Sequence, residues 1–438
     1  MIQSNATTML ERARAGYLGR AGLIGAVKQI LRAPGEPRLH SVTALPANTA
    51  VYTHGNLIGQ ANAAGFTLEH AMQCAIGECL ERYSCLHYDA DRLVRATQQA
   101  LGDDAIGFDE FGVYASWQYD APGWPFARFR PDVPVSWVEG KSWLTGRRRF
   151  VPACLVYVPY RPRERADLLA LSVSSGQACH PDLEQAVLTG LYEVVERDAF
   201  MISWLRRLPL PRVLYQDDAV LGPLWRRHFA DDQLEYHLFD MTLDVALPTY
   251  LCLVEGRTAR GPMFGMGAAT RVAHRDAAAK ALLEAGQDLI WCRDLVRRDP
   301  GWRLAPGGAN IREFQDHVRL YCEPEMAAEL AFLTDSPRRR ALPAPDADRA
   351  PPARPALEHA LRCLDAQGLD CVVVDTTAAD VAAAGFHAPK VIIPGLVMLT
   401  ADHRLQALGS PRLRTVPAKL GIEALALPGL NPTPHPFP

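Results

Sequence analysis

The sequence predicts an α/β protein in which mixed sheets with flanking helices surround a central ligand site. Short apolar runs bounded by turn residues alternate along the chain with long helical patterns, as is typical of this class. Two of the helical patterns follow a glycine-containing loop and carry the same acidic motif. A chain of 438 residues is long enough for one large domain with appended parts.

Three long helices are expected to carry the site. The first begins at Thr67, a favourable N-cap residue, after a glycine-rich loop at residues 55–66. The second lies within residues 174–209, again after a glycine-containing loop, and the third covers residues 274–299. Apolar runs between these segments predict strands at residues 150–160, 247–256, 262–270, 370–377 and 390–399.

The chain is predicted to have three parts. Residues 1–55 form an N-terminal extension, of which the first 45 residues are expected to be helical and turn structure with a glycine-rich piece at 16–25. Residues 56–430 form the main domain, which contains a surface linker rich in proline and arginine at about 337–356. Residues 431–438 form a proline-rich tail.

The composition excludes several functional classes. A formal net charge of −3 gives no sign of a surface that binds polyanions, so no nucleic-acid partner is expected. The ten cysteines include no C-x-x-C pair, which argues against a zinc module and a disulfide framework. No run of about 18 apolar residues is present to span a membrane, and the N-terminus lacks the apolar core of a signal peptide. A cytoplasmic protein is expected.

An acidic motif recurs on the three predicted helices. The pattern ExxER occurs at residues 78–82 and 193–197, and ExxQ occurs at 284–287. A spacing of three residues places both polar groups on one helix face. A solvated face with local Glu–Arg pairing is one interpretation of each motif. The repetition favours convergence of the helices on Mg²⁺ and phosphate, because hard carboxylate oxygens and arginines suit those ligands.

Glycine-rich phosphate loops contribute little evidence. The chain contains no GxxxxGK[ST] sequence, so a nucleotide would bind without a P-loop. Gly265 and Gly267, which follow a predicted strand, are compatible with close approach of the backbone to a ligand.

The three motifs together resemble those of the YcaO family, whose members use ATP to activate a peptide amide carbonyl oxygen. The stretches AIGECLERYS, SSGQACHPDLEQAVLTGLYEVVERDAF and AAAKALLEAGQ are similar in order and spacing to the family's nucleotide-binding motifs, over roughly residues 60–290. The resemblance implies a YcaO-like fold, with mixed sheets and flanking helices around a central nucleotide site, and binding of ATP and Mg²⁺. The nucleotide-binding residues that it implies are Glu78, Glu81, Arg82, Gln185, Glu193, Glu196, Arg197, Lys280, Glu284 and Gln287. Its implied metal ligands are Glu78, Glu81, Glu193 and Glu196.

Some positions differ from the family pattern. Gln185 stands where members usually have a glutamate, and it offers a carbonyl oxygen without a charge. Glu184 is one residue earlier, about 100° around the helix, so it is not an automatic substitute. Leu289 occupies a position where the family often has arginine, and Arg293 lies one turn later.

The chain ends in NPTPHPFP, in which prolines alternate with other residues. This pattern excludes a helix and the interior of a sheet. Azoline-forming members of the family end in PxPxP, so the resemblance implies that Pro434, Pro436 and Pro438 act at the active site, where a terminal carboxylate could serve as a base. A loose surface tail, or a ligand for a polyproline-binding groove, is the alternative. Deletion of the tail is expected to spare the fold.

These features predict ATP-dependent cyclodehydration of Cys, Ser or Thr residues in a precursor peptide to thiazolines or oxazolines. The nucleophile belongs to the substrate, so no catalytic Ser or Cys is needed. Thioamidation or amidine formation, and a non-catalytic nucleotide-binding subunit, are the alternatives. The resemblance also implies a separate E1-like or ThiF-like protein that binds the leader peptide, an FMN-dependent dehydrogenase in the same pathway, and a homodimer.

Overall fold

The structure, a computed structural model, describes residue 11 and residues 22–50, 59–423 and 429–438. Within these residues the helices are α1 (Leu68–Leu86), α2 (Gln98–Leu101), α3 (Leu183–Leu205), α4 (Leu221–His228), α5 (His274–Arg298), α6 (Phe314–Leu320), α7 (Ala327–Thr334), α8 (Ala353–Asp365), α9 (Ala379–Ala383) and α10 (Arg412–Lys419). The strands are β1 (Ile24–Ile30), β2 (His40–Pro46), β3 (Ala61–Gly65), β4 (Val94–Ala96), β5 (Val135–Ser142), β6 (Arg148–Pro152), β7 (Arg212–Val213), β8 (Leu234–Asp240), β9 (Thr249–Thr258), β10 (Gly261–Thr270), β11 (Arg339–Arg340), β12 (Val372–Asp375) and β13 (Pro389–Ile392). Among the described helices, none is long and apolar enough to cross a membrane.

The strands form three sheets with helices packed against them, which confirms the predicted α/β class. The first sheet has the order β1-β2-β3 and the second has the order β10-β9-β8-β7-β11. The third has the order β13-β12-β5-β4, with β6 paired to β5. Neighbouring strands are antiparallel, with the exception of β11 against β7.

Helix α1 covers the three-stranded sheet. The Thr67 side chain accepts a hydrogen bond from the His70 backbone amide, which confirms the predicted N-cap. The prediction of helical and turn structure for residues 1–45 is wrong over β1 and β2, which are strands. Val42 and Ala44 are buried on alternate positions of β2 and pack against the small residues of α1.

The first sheet also bears on the proposed domain boundaries. Strands β1 and β2 precede residue 55, yet β2 pairs with β3 beyond it. The boundaries at residues 55 and 430 stay predictions, but these strands and β3 form one sheet. Most of the glycine-rich piece at 16–25, and part of the loop at 55–66, lie outside the described residues.

Helix α5 lies directly against the β9–β10 hairpin because two glycines permit close approach. A Cβ atom at Gly267 would lie 2.3 Å from the Ala285 amide nitrogen, and one at Gly265 would lie 2.7 Å from the Leu289 nitrogen. The glycines therefore serve helix–sheet packing, which corrects the interpretation that they approach a ligand. This contact places Glu284 of the third motif against β10.

The segment predicted as a linker, residues 337–356, is mostly exposed but anchors α5. Ala273, at the N-cap of α5, has no side chain that can accept a hydrogen bond. Asp348 accepts instead from the backbone amides of His274 (2.6 Å) and Arg275 (2.9 Å). The predicted strand at 150–160 is shorter than expected, because β6 ends at Pro152 and a 3₁₀ turn follows.

Candidate active site

Helices α1, α3 and α5 bring the three acidic motifs together. Burial raises the pKa of Glu81 well above its usual value, and the charges of Glu193 and Glu78 raise it further. Burial likewise raises the pKa of Glu196 to about 8, and Glu284 and Glu193 add to this effect. Carboxylates from all three helices therefore act on one another across a single site.

The first motif, residues 78–82, contacts the loop that precedes β3. Arg82 donates to the Glu78 carboxylate at 2.5 Å, one helical turn away. The same guanidinium donates to the Gln60 carbonyl at 2.8 Å. Burial raises the pKa of Glu78 although Arg82 and Lys280 counteract it. Arg82 thus ties the motif to the loop before β3.

The second motif is held by the loop that precedes α3. The Gly176 amide donates to Glu193 at 3.1 Å. Gly176 has φ of +89°, and a Cβ there would lie 2.2 Å from the Val391 carbonyl oxygen, so this position requires glycine. Arg197 contacts Glu196 at 2.7 Å and Glu193 at 3.4 Å. One arginine therefore bridges both carboxylates of the motif.

Residues of the third motif have two different roles: Lys280 and Glu284 pair with each other, whereas Gln287 contacts strand β3. Lys280 pairs with Glu284 at 3.0 Å. The Gln287 amide accepts from the Ala64 amide at 3.1 Å and donates to the Asn62 carbonyl at 3.2 Å. Gln287 therefore joins α5 to β3 here, and its nucleotide-binding role stays a prediction.

The positions that depart from the family pattern make other contacts in this structure. Gln185 donates to the Thr189 hydroxyl at 3.3 Å, and it lies eight residues before Glu193, about 12 Å along the helix axis. Leu289 is fully buried in the core. Arg293 donates to the Gly35 carbonyl at 2.8 Å, so it does not replace the missing site arginine.

The predicted metal ligands have the chemistry that Mg²⁺ requires. Each motif pairs at least one of its carboxylates with its own cation, and no group of three His, Cys, Asp or Glu side chains within the described ranges forms a ready metal cluster. Mutual repulsion and burial raise the carboxylate pKa values, and a divalent cation relieves both effects. The residues that would hold the ion through their oxygens are Glu78, Glu81, Glu193 and Glu196.

Two cationic residues at the site were missed by the sequence analysis. The Arg271 guanidinium lies over the Tyr192 ring at 5.2 Å, and its charge lowers the pKa of Glu196. Lys390 is buried on β13, and its charge lowers the pKa of Glu81. Two features of the sequence could have identified them. Arg271 lies shortly before the third motif, and Lys390 is the single charged residue at the start of an apolar run.

The C-terminal tail lies in the core and reaches the second motif. Asn431 donates to the Leu205 carbonyl at 2.8 Å, and the Trp204 indole donates to the Thr433 carbonyl at 3.0 Å. The Phe437 ring is 1% exposed and lies 4.2 Å beneath the Arg197 guanidinium. The alternative of a loose surface tail is therefore wrong.

These contacts also contradict the expectation that the tail can be deleted without cost to the fold. Removal would open a cavity at Phe437 and leave the donors of Trp204 and Tyr321 without their acceptors. The catalytic role of Pro434, Pro436 and Pro438 stays a prediction.

A stacked histidine pair anchors the tail. The rings of His317 and His435 lie 3.8 Å apart, and His317 Nδ1 lies 2.8 Å from the His435 carbonyl oxygen. His317 Nε2 lies 2.8 Å from the Ala401 carbonyl oxygen. Burial lowers the pKa of His317 to about 4, and burial lowers the pKa of His435 well below its usual value.

We expect the contribution of this histidine pair to the free energy of unfolding to fall as the pH drops from 6.5 to about 4. In that pH range the histidines of the unfolded chain bind protons, whereas the buried imidazoles of the folded protein stay neutral. Acid therefore favours unfolding. His317 alone should contribute about 3 kcal/mol to this loss. Urea unfolding at several pH values measures it, with His317→Gln/His435→Gln as the comparison. An equal acid loss in that double variant would contradict the assignment.

Comparison with known proteins identifies the family. The family model described as YcaO cyclodehydratase, ATP- and Mg²⁺-binding, matches residues 62–397, more than half of the chain. An uncharacterized protein from Methanothermobacter thermautotrophicus is 28% identical over 347 residues, which cover 77% of this chain and 82% of that protein.

Two solved structures share the fold. A heterocyclase in complex with substrate and cofactor has a TM-score of 0.76 at 23% identity and covers 99% of this chain. This chain spans 57% of the length of that heterocyclase. YcaO from Methanopyrus kandleri, bound with AMPPCP and Mg²⁺, has a TM-score of 0.61 at 18% identity and covers 91% of each chain. The family match, together with the three converging motifs, shows that this chain belongs to the YcaO family of ATP- and Mg²⁺-binding cyclodehydratases.

Proposed function

We propose that this protein converts Cys, Ser or Thr residues of a ribosomally made precursor peptide to thiazolines or oxazolines, with ATP as co-substrate. The observation that carries the proposal is the position of the tail. Phe437 lies beneath Arg197, which in turn bridges Glu193 and Glu196. The proline-rich segment characteristic of azoline formation therefore ends beside the acidic cluster.

The proposed reaction removes one water from the peptide for each ring. The substrate's thiol or hydroxyl loses its proton as its sulfur or oxygen attacks the preceding amide carbonyl carbon. The carbonyl oxygen receives the γ-phosphoryl group of ATP, and ADP leaves. Phosphate then leaves with that oxygen, while the amide nitrogen loses its proton and the C=N bond forms. Peptide and ATP thus give azoline peptide, ADP and phosphate.

The chain's own residues would position the phosphates and balance their charge. Arg82, Arg197 and Lys280 supply the cations, each beside a motif carboxylate. Phosphoryl transfer depends mainly on such positioning and charge neutralisation. Mg²⁺, when held by the motif glutamates, would supply further neutralisation at the phosphates.

We propose that a separate E1-like or ThiF-like protein presents the precursor peptide. The heterocyclase with the same fold is longer than the present chain, which spans 57% of its length. The homodimer and the FMN-dependent dehydrogenase stay predictions.

We expect the purified protein to modify the small Cys-, Ser- and Thr-rich peptide encoded beside its gene when its leader-binding partner and Mg²⁺–ATP are present. Mass spectrometry should show the loss of one water per ring, with one phosphate released for each. Thioamidation would instead exchange oxygen for sulfur and raise the mass. If Mg²⁺–ATP binds and the peptide mass stays unchanged, a non-catalytic subunit is the better description.

A further inference from the structure

Lys390 is a buried cation that the three motifs do not include. It lies on β13 and is 2% exposed. Its ammonium donates to the Val173 carbonyl at 2.8 Å. Within the part of the chain that the structure describes, Nζ has no other hydrogen-bond acceptor and no carboxylate within ion-pair distance. An ammonium has three N–H groups, so two donors remain for a ligand.

The Lys390 side chain lines a small pocket beside the second motif. The pocket has a volume of about 50 Å³, and both Lys390 and Arg197 belong to its lining. Its walls are otherwise mainly apolar and include Phe111, Leu155, Val194 and Leu396. Arg197 is already engaged by Glu193, Glu196 and the Phe437 ring. Lys390 is therefore the pocket's available cation, and Ser175 is the other polar residue in its lining.

The chemistry of this pocket points to a single carbonyl group. A triphosphate is too strongly charged for a pocket with mainly apolar walls. A peptide carbonyl with a small neighbouring group is uncharged, as the apolar walls require, and its oxygen can accept a hydrogen bond from the Lys390 ammonium. Resting on the proposed function, we propose that Lys390 binds the carbonyl oxygen of the substrate amide undergoing cyclisation and donates a hydrogen bond to it.

This contact would assist the first chemical step. Attack by the substrate's sulfur or oxygen breaks the carbonyl π bond and places negative charge on the carbonyl oxygen. A preorganised, buried ammonium stabilises that charge before the oxygen takes the phosphoryl group. Burial lowers the pKa of Lys390 to about 8, while Cys85, Glu193 and Glu81 counteract it, so the amine carries its charge at neutral pH.

Lys390→Gln tests the assignment, because glutamine keeps an N–H for the Val173 carbonyl and loses the charge. We expect kcat for cyclisation to fall about 100-fold, the typical effect of losing one donor to a developing oxyanion. The affinity for Mg²⁺–AMPPCP and the Tm should stay at wild-type values, since the removed charge is buried without a counter-ion. Lys141→Gln, an exposed lysine on β5, controls for loss of one positive charge and should behave as wild type.

The outcomes separate this inference from the proposed function. If the wild type cyclises the peptide and Lys390→Gln does so at the same kcat, only the role of Lys390 is wrong. If Lys390→Gln loses affinity for Mg²⁺–AMPPCP in proportion to its activity, the lysine binds phosphate and the assignment to a carbonyl is overturned. If the wild type itself binds Mg²⁺–AMPPCP but forms no azoline, the proposed function fails and the inference fails with it.

Discussion

Glu196→Gln should lower kcat/KM for ATP by at least about 100-fold while the protein remains folded. Glu196 is 5% exposed, and burial raises its pKa to about 8. An amide of the same shape then costs little stability. The amide cannot supply the ionised oxygen that a divalent cation binds, so nucleotide-dependent turnover should be lost.

Unfolding experiments give this prediction a second readout. Because the folded pKa of Glu196 lies above its ordinary value of 4.5, the folded protein binds the extra proton between pH 4.5 and about 8. Its contribution to stability should therefore fall as the pH rises through that window. Glu196→Gln should remove this pH dependence, which urea unfolding at pH 6 and pH 8.5 would show.

Glu184→Gln is the matched control on the same helix. Glu184 is partly exposed, and its nearest cation, Arg354, lies 3.9 Å away on the surface. Exposed pairs of this kind contribute little, so activity and stability should match the wild type. Equal losses in both glutamine variants, or full activity in Glu196→Gln, would contradict the assignment of Glu196 to the site.

Phe437→Ala should destabilise the protein by about 3–5 kcal/mol, because it empties a fully buried position in the core. Phe437→Leu should restore most of that stability, since it retains much of the apolar volume. It removes the aromatic face beneath Arg197, however, and so should still reduce cyclisation. Urea unfolding and the activity of the folded fraction measure the two effects separately.

Phe332→Leu provides the comparison for the tail variant. Phe332 packs against the same core, and the Arg207 guanidinium lies 5.9 Å from its ring. Arg207 is outside the three motifs, so this variant should retain the activity of the wild type once stability is accounted for. If both leucine variants lose activity equally, the loss comes from altered core packing. The contact between Phe437 and Arg197 would then have no specific role in activity.

Local features of the sequence predicted the three site helices well. Thr67 accepts the capping hydrogen bond assigned to it, and α3 and α5 lie where the helical periodicity places them. Caps and helical faces depend on residues within a few positions of one another, so a single sequence contains the needed information. The acidic motifs could be located in this way, because each motif is contained in one helix, but their convergence depends on the packing of the three helices.

Other features depended on segments far apart in the chain. The strands β1 and β2 escaped prediction because their stability comes from pairing with β3 and from the cover of α1. Gly265 and Gly267 were interpreted as ligand contacts, yet they meet a helix that begins later in the chain. Gln287 contacts strand β3, more than two hundred residues earlier.

The sequence by itself determined which residues could bind Mg²⁺ and phosphate, since carboxylates and arginines at helical spacing present themselves on one face. The tertiary structure alone decided which groups share the site. It buried the tail and placed Phe437 beneath Arg197, and it brought Lys390 of β13 to the pocket beside that arginine. The reason is that burial and long-range packing set the local dielectric and the available partners, and neither is encoded in any short stretch of the chain.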